Sequence, residues 1–233
     1  MEKDAAMIII AHMRSDFPTK FGVPRQSGLA ASSVSRIVFE PEFRNPDFLR
    51  GIENYSHLWI IWQFSENMTA GFSPTVRPPR LGGNKRMGVF ATRSPFRPNA
   101  ICLSCVKILK TELQTDAGPV IYVSGADMVD NTPIYDIKPY LPYADSHPEA
   151  RDDFTSGTPR VKLSVDIPPE LLARIPAALT AALTEALSED PRPAYQRDPA
   201  RIYKMPFADI EVHFSVDGDV LRVVDIIEYR GKI

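Results

Sequence analysis

The sequence predicts a mainly β protein that ends in a small α+β unit. Three observations lead there. Short apolar or alternating runs, separated by Pro, Gly, Asn and Asp clusters, fill the first two-thirds of the 233 residues. No long helical pattern interrupts them, which points to a sandwich or a barrel. After residue 168 an Ala-, Leu- and Glu-rich stretch keeps helical spacing, and two more strand-like runs follow it.

The predicted strands of the first part are residues 7–12, 33–39, 58–64, 87–91, 101–109 and 120–125. A short helix is predicted at 46–50, capped by Asn45 with Pro46 at its first position. Residues 141–159 are polar, charged and Pro-containing and read as a linker. The expected domains are therefore 1–150 and 160–233. In the second, a strand over 161–167 precedes Pro168-Pro169. Leu172, Ile175, Leu179, Leu183 and Leu187 then mark one helical face, with Pro176 opening a second helix. Strands at 210–216 and 220–227 are joined through Asp217-Gly218, a hairpin signal.

Composition is that of an ordinary globular chain, at 44% hydrophobic and 24% charged. The charge is unevenly placed. Residues 67–111 carry eight Lys/Arg and no Asp or Glu, whereas residues 112–233 carry twelve basic and twenty-one acidic groups. A local site for an anionic, phosphate-rich ligand fits this pattern better than a general polycation. The one apolar run near the N-terminus, 7–10, is too short for a signal segment or a membrane span, so a cytoplasmic, membrane-free protein is expected.

Cys102 and Cys105 form a C-x-x-C, but the odd spacing on a predicted strand sends the thiols to opposite faces. Four scattered histidines supply no ligand spacing, so no metal is expected and both cysteines read as packing residues. His57 reads as a packed residue at the start of the strand 58–64, and Trp59 and Trp62 as core or interface residues. Leu81-Gly82-Gly83 lacks the Gly-Lys-Ser/Thr of a phosphate loop, and no G-x-G-x-x-G occurs anywhere. A Rossmann route to a nucleotide is therefore disfavoured.

Several loop residues could grip an anion or a hydroxyl. Arg25 sits stiffly between Pro24 and Gln26, as an anion donor or as an ordinary surface arginine. Arg93 and Arg97 bracket a Pro-rich loop, with Arg97 confined by Phe96 and Pro98; each could hold a carboxylate or phosphate, or a salt bridge within the fold. Asp127 and Asp130 follow a strand and enter a turn built on Asn131 and Pro133. Carboxylates there bind ribose hydroxyls or ammonium groups, or cap their own turn. Asp136 is a third candidate, paired with Lys138. Asp190-Pro191-Arg192-Pro193-Ala194-Tyr195 offers an arginine and an aromatic for a nucleic acid, or a helix stop with a packed tyrosine.

Taken together, PRQ at 24–26, SHLWI at 56–60, TVRPPRLGGN at 75–84, RMGVFATRSPFRPN at 86–99, DNTPIYDIKPYLP at 130–142 and DPRPAY at 190–195 resemble the TrmO (TsaA-like, YaeB-like) family of S-adenosylmethionine-dependent tRNA methyltransferases. DPRPAY resembles the C-terminal domain of full-length bacterial members. The resemblance implies a single-sheet antiparallel β-barrel and a homodimer with S-adenosyl-L-methionine near the subunit interface. It also implies methyl transfer to N6 of N6-threonylcarbamoyladenosine at position 37 of tRNA. Carried over by position, the cofactor residues are Pro24, Arg25, Gln26, Arg93, Leu103, Asp127, Met128, Val129 and Asp130. Ser65 and Glu66 belong to the same cofactor set and stand where members often show His-Gln.

On this expectation Arg25 or Arg93 takes the methionine carboxylate, and Asp127 or Asp130 takes ribose hydroxyls or the amino group. Asp136 is the candidate proton acceptor. Arg77, Arg80, Lys85, Arg86 and Arg97 would neutralise tRNA phosphates, with Arg192 and Tyr195 adding contacts from the second domain. A non-catalytic RNA-binding barrel and a small-molecule methyltransferase are the competing readings.

Overall fold

The computed structural model describes residues 6–64, 72–78, 85–151, 162–193, 196 and 198–231. Six strands close into an antiparallel barrel: β1 Ala11–Arg14, β2 Val34–Phe39, β3 His57–Gln63, and three later strands. Between them lies a two-stranded ribbon of β4 Thr75–Val76 and β5 Met87–Gly88. The barrel is completed by β6 Ile101–Glu112, β7 Val120–Ser124 and β8 Thr132–Pro139, in the order β1-β2-β7-β6-β3-β8. Closure leaves no free sheet edge.

Alternation builds the barrel core. Leu58, Ile60 and Trp62 of β3 point inward, as do Ser104 and Val106 of β6, while Trp59, Leu103 and Cys105 face out. The cysteines are free thiols on opposite faces of β6. Each fully buried aliphatic side chain contributes about 1.5–3 kcal/mol. Trp59 donates from its indole nitrogen to Asp145 at 3.0 Å, and His57 packs edge-on against Tyr140.

Local corrections to the expected elements have physical causes. The apolar run 7–10 is not the first strand: Met7 and Ile8 are exposed, and the strand begins at Ala11. Residues 87–91 split into β5 and a tight turn, Val89–Ala91. The helix expected at 46–50 is a single 3-10 turn, Pro46–Leu49, with the Asn45 side chain accepting from the Asp47 N–H. Asn131 does turn, at φ 63°, but Pro133 lies inside β8 and pairs with His12. The expected strand 161–167 is β9, Ser164–Asp166, although Val161 lies outside the described residues.

The second sheet runs β10 Tyr203–Phe207, β11 Ile210–Asp217, β12 Val220–Glu228 and then β9, which lies parallel to β12. Helix Ala177–Ser188 covers it with Ala182, Leu183, Ala186 and Leu187. This core also takes residues from the β1–β2 loop. Phe17 is fully buried in it, edge-on to Phe207 at 5.3 Å, and Phe21 stacks on Phe214. Gly22 has φ 98°, and a Cβ there would meet Met205 Sδ at 2.3 Å. The loop's backbone is joined by the Ala208 N–H, which donates to the Asp16 carbonyl at 2.7 Å.

Candidate active site

The β1–β2 loop reaches the barrel rim at Pro24–Gly28. Pro24 is buried, whereas Arg25 and Gln26 are exposed. The Gly28 N–H donates to the Gly125 carbonyl at 2.8 Å. Gly125 has φ 74°, and a Cβ on it would come within 3.0 Å of the Gly28 backbone. A glycine at the end of β7 is therefore what allows the loop to lie against the barrel.

Three distant segments meet there. Arg93 donates from Nη1 to Gln26 Oε1 at 2.7 Å. The half-buried Asp127 carboxylate receives the Ser104 hydroxyl on Oδ1 at 2.6 Å, and Ser104 in turn accepts from Trp62 Nε1 at 2.9 Å. Burial pushes the Asp127 carboxyl up to about 6; the Ser104 hydroxyl, the N–H groups of Asp127 and Ser27, and the Arg93 guanidinium oppose that shift. Burial, reinforced by the Asp127 charge, pushes the neighbouring Cys102 thiol up to about 11, with Arg97 acting against it. Cys102 is thus a neutral thiol at physiological pH.

The rest of the segment 127–130 has other duties. Met128 is fully buried in the barrel core, and the Val129 carbonyl accepts from the Thr132 hydroxyl. Asp130 accepts from the Ser15 N–H at 3.0 Å and lies 3.6 Å from Arg14. Leu103 is 53% exposed on the outer face of β6, opposite Ser104. Asp136 pairs across the sheet with Ile61 and is bonded to Lys138 Nζ at 2.8 Å. Among the described residues no hydrogen bond or ion pair joins it to Gln26, Arg93 or Asp127.

The basic residues fall into two groups. Arg77, Lys85 and Arg86 are exposed on or beside the β4–β5 ribbon, where Arg86 donates to the Thr75 hydroxyl. Arg97 is half-buried, donating to the Thr92 carbonyl and lying over the Phe90 ring. Arg192 forks onto Asp190, Nε to Oδ1 at 2.8 Å and Nη2 to Oδ2 at 3.0 Å. Arg25 reaches the same turn, donating to the carbonyls of Arg192 at 3.1 Å and Asp190 at 3.4 Å. Ser65, Glu66, Arg80 and Tyr195 lie outside the described residues.

Ser104 and Trp62 were not singled out from the sequence as site residues. A polar residue at an inward position of an apolar strand was the signal available for Ser104. The described residues hold no group of three His, Cys, Asp or Glu able to bind a metal, and no helix among them is long and apolar enough to cross a membrane.

The family model for the tRNA-methyltransferase O N-terminal domain matches residues 12–146, and that for the TrmO C-terminal domain matches 161–229. The chain belongs to the TrmO family. Among relatives of this TrmO-family chain is the tRNA (adenine(37)-N6)-methyltransferase of Escherichia coli, 40% identical over 215 residues, covering 89% of this chain and 91% of that protein. The enzyme of the same description from Eikenella corrodens is 42% identical over 179 residues, 76% of this chain and 100% of that one. The crystal structure of TrmO from Pseudomonas aeruginosa superposes with a TM-score of 0.77 at 29% identity, covering 97% of this chain and 100% of that chain. TrmO membership accounts for the closed antiparallel barrel followed by a small α+β part.

Proposed function

We propose that this chain is an S-adenosyl-L-methionine-dependent methyltransferase acting on N6 of adenine 37 in tRNA, and that the adenine carries a threonylcarbamoyl group. The observation that carries the reading is the meeting of Gln26, Arg93 and Asp127 at one rim of a barrel whose relatives include tRNA (adenine(37)-N6)-methyltransferases. The donor set suits the cofactor. An exposed guanidinium at Arg93 complements the methionine carboxylate. The Asp127 carboxylate, which receives the Ser104 hydroxyl, is proposed to take a ribose hydroxyl or the amino group as a further donor.

When bound, the cofactor supplies an activated methyl on a sulfonium. The chain's residues then mainly bind and orient. Holding the nucleophilic nitrogen in line with the methyl carbon can supply about 7–11 kcal/mol. The nitrogen is poorly basic because its lone pair is shared with the purine and the carbamoyl group, so a proton acceptor assists. Asp136, ion-paired with Lys138, is proposed for that role.

Arg77, Arg80, Lys85 and Arg86 are proposed to neutralise anticodon-stem phosphates, aided by Arg97, Arg192 and Tyr195. The flanking acidic half confines RNA to the basic face. The proposed domains are 1–150 for cofactor and chemistry and 160–233 for tRNA contact. We further propose a cytoplasmic homodimer; the exposed Ile101 and Leu103 on β6 offer apolar surface that a second copy would cover.

The test uses the full chain, labelled cofactor, and tRNA with and without the threonylcarbamoyl group. Label entering only the modified tRNA, with activity falling as salt rises, supports the reading. Label entering neither tRNA refutes it, and label entering both removes the threonylcarbamoyl requirement.

A further inference from the structure

We propose that the turn at Asp190–Arg192 is a brace for the cofactor loop, and that Arg25 is a positioning residue held by this turn. The inference rests on the reading of the 24–26 loop as cofactor-binding. It starts from Arg25 itself. Its guanidinium donates to the backbone carbonyls of Asp190 and Arg192, residues 165 and 167 positions away. With Nη2 turned onto two carbonyls, the Arg25 guanidinium holds its own loop, while Arg93 is the cation bonded to Gln26 and acting on Asp127.

The turn is built to keep those carbonyls in place. Asp190 has φ 52°, a conformation that costs a residue with a Cβ unless something stabilises it. The stabiliser is the Arg192 side chain. It forks onto both Asp190 carboxylate oxygens, while Asp190 Oδ1 also accepts the Arg192 N–H at 3.3 Å. A two-pronged guanidinium–carboxylate pair fixes direction as well as distance. The fork thus locks the turn, the turn aims two carbonyls, and the carbonyls hold Arg25.

Other contacts anchor the same loop to the second sheet and its helix. Phe17 and Gly22 sit against Phe207 and Met205 before Arg25, and Ser32 donates from its N–H and hydroxyl to Glu185 at 2.8 and 2.6 Å after it. With both ends fixed, the Arg25 contact restrains the middle. Ordering a binding loop in advance lowers the entropy lost on ligand binding. The C-terminal unit thereby sets cofactor affinity without touching the cofactor.

Arg192→Lys keeps the charge and loses the fork. Amide hydrogen exchange of the ligand-free protein should show residues 22–30 exchanging several-fold faster, with β11 and β12 unchanged. Calorimetry with S-adenosylhomocysteine should show a Kd raised roughly tenfold, and the substitution should add little in an Arg25→Ala background. Asp190→Asn, which tolerates positive φ and keeps one acceptor, should fall between. Unchanged exchange across 22–30, or an exchange increase spread evenly over the second sheet, overturns the brace. So does a variant that loses only tRNA affinity. A wild-type protein that binds no S-adenosyl ligand would refute the functional reading instead, and the exchange pattern would still decide the brace.

Discussion

Arg93 and Gln26 are joined by a 2.7 Å hydrogen bond that spans sixty-seven residues of sequence. The bond ties the basic, Pro-rich segment to the β1–β2 loop at the barrel rim. Neither residue is buried, so the pair is worth little to stability. Its consequence is geometric: it sets the guanidinium beside Asp127.

Arg93→Ala should therefore weaken S-adenosylhomocysteine binding by ten- to a hundredfold, the loss of a charge-assisted contact, with little change in Tm. Calorimetry and a melting curve measure the two. Gln26→Ala should cost less, and the two substitutions should be less than additive.

Asp127 makes stability and cofactor affinity depend on pH in opposite senses. Its folded value of about 6 lies above the ordinary 3.8, so the folded protein holds that proton more tightly than the unfolded chain. The contribution to stability is fully present below about 3.8 and is lost as pH rises through about 6. Asp127→Asn should then be more stable than wild type at pH 8, by on the order of 2 kcal/mol, with the gap closing near pH 4. Urea unfolding at both pH values checks this. Cofactor affinity runs the other way: the wild type should bind more weakly below pH 6, and the variant should bind weakly at every pH.

Ser104→Ala would strand the buried indole N–H of Trp62 and remove the hydroxyl donor from Asp127. A loss of about 1–3 kcal/mol in unfolding free energy is expected. The Asp127 titration, followed by carboxyl NMR, should move further upward. Ser104→Thr, which keeps the hydroxyl, should restore most of both.

Phe17→Ala tests the link between the two cores. The residue belongs to the β1–β2 loop but is buried against Phe207 in the second core. A destabilisation of about 3–5 kcal/mol is expected. Exchange protection should be lost first in β10 and β11, rather than in the barrel.

Much of this architecture was legible in the chain. The apolar runs at 58–64 and 101–109 marked β3 and β6 as strands, and the odd cysteine spacing gave opposite faces for the thiols. Three strands escaped: the two-residue β4, and β8 and β10. β8 has Pro133 as its second residue and carries Asp136 and Lys138, and β10 contains Pro206; proline in a run reads as a turn until a partner strand is known. The aromatic residues Phe17 and Phe21 gave no local sign that they pack in the second core, because that contact spans about the length of the chain. At the site, Gln26, Arg93 and Asp127 come together from three separate motifs. The Trp62–Ser104–Asp127 relay is set by strand register and loop placement, which local pattern does not encode.

The most direct test of the central claim is nucleoside mass spectrometry of threonylcarbamoyl-bearing tRNA after incubation with S-adenosyl-L-methionine and either wild-type or Arg93→Ala protein. The account predicts a 14 Da gain, one methylene, on the modified adenosine at position 37 with wild type, and a strongly reduced gain with the variant at limiting cofactor. An unmodified mass with wild type, or equal gains from both proteins, would contradict it.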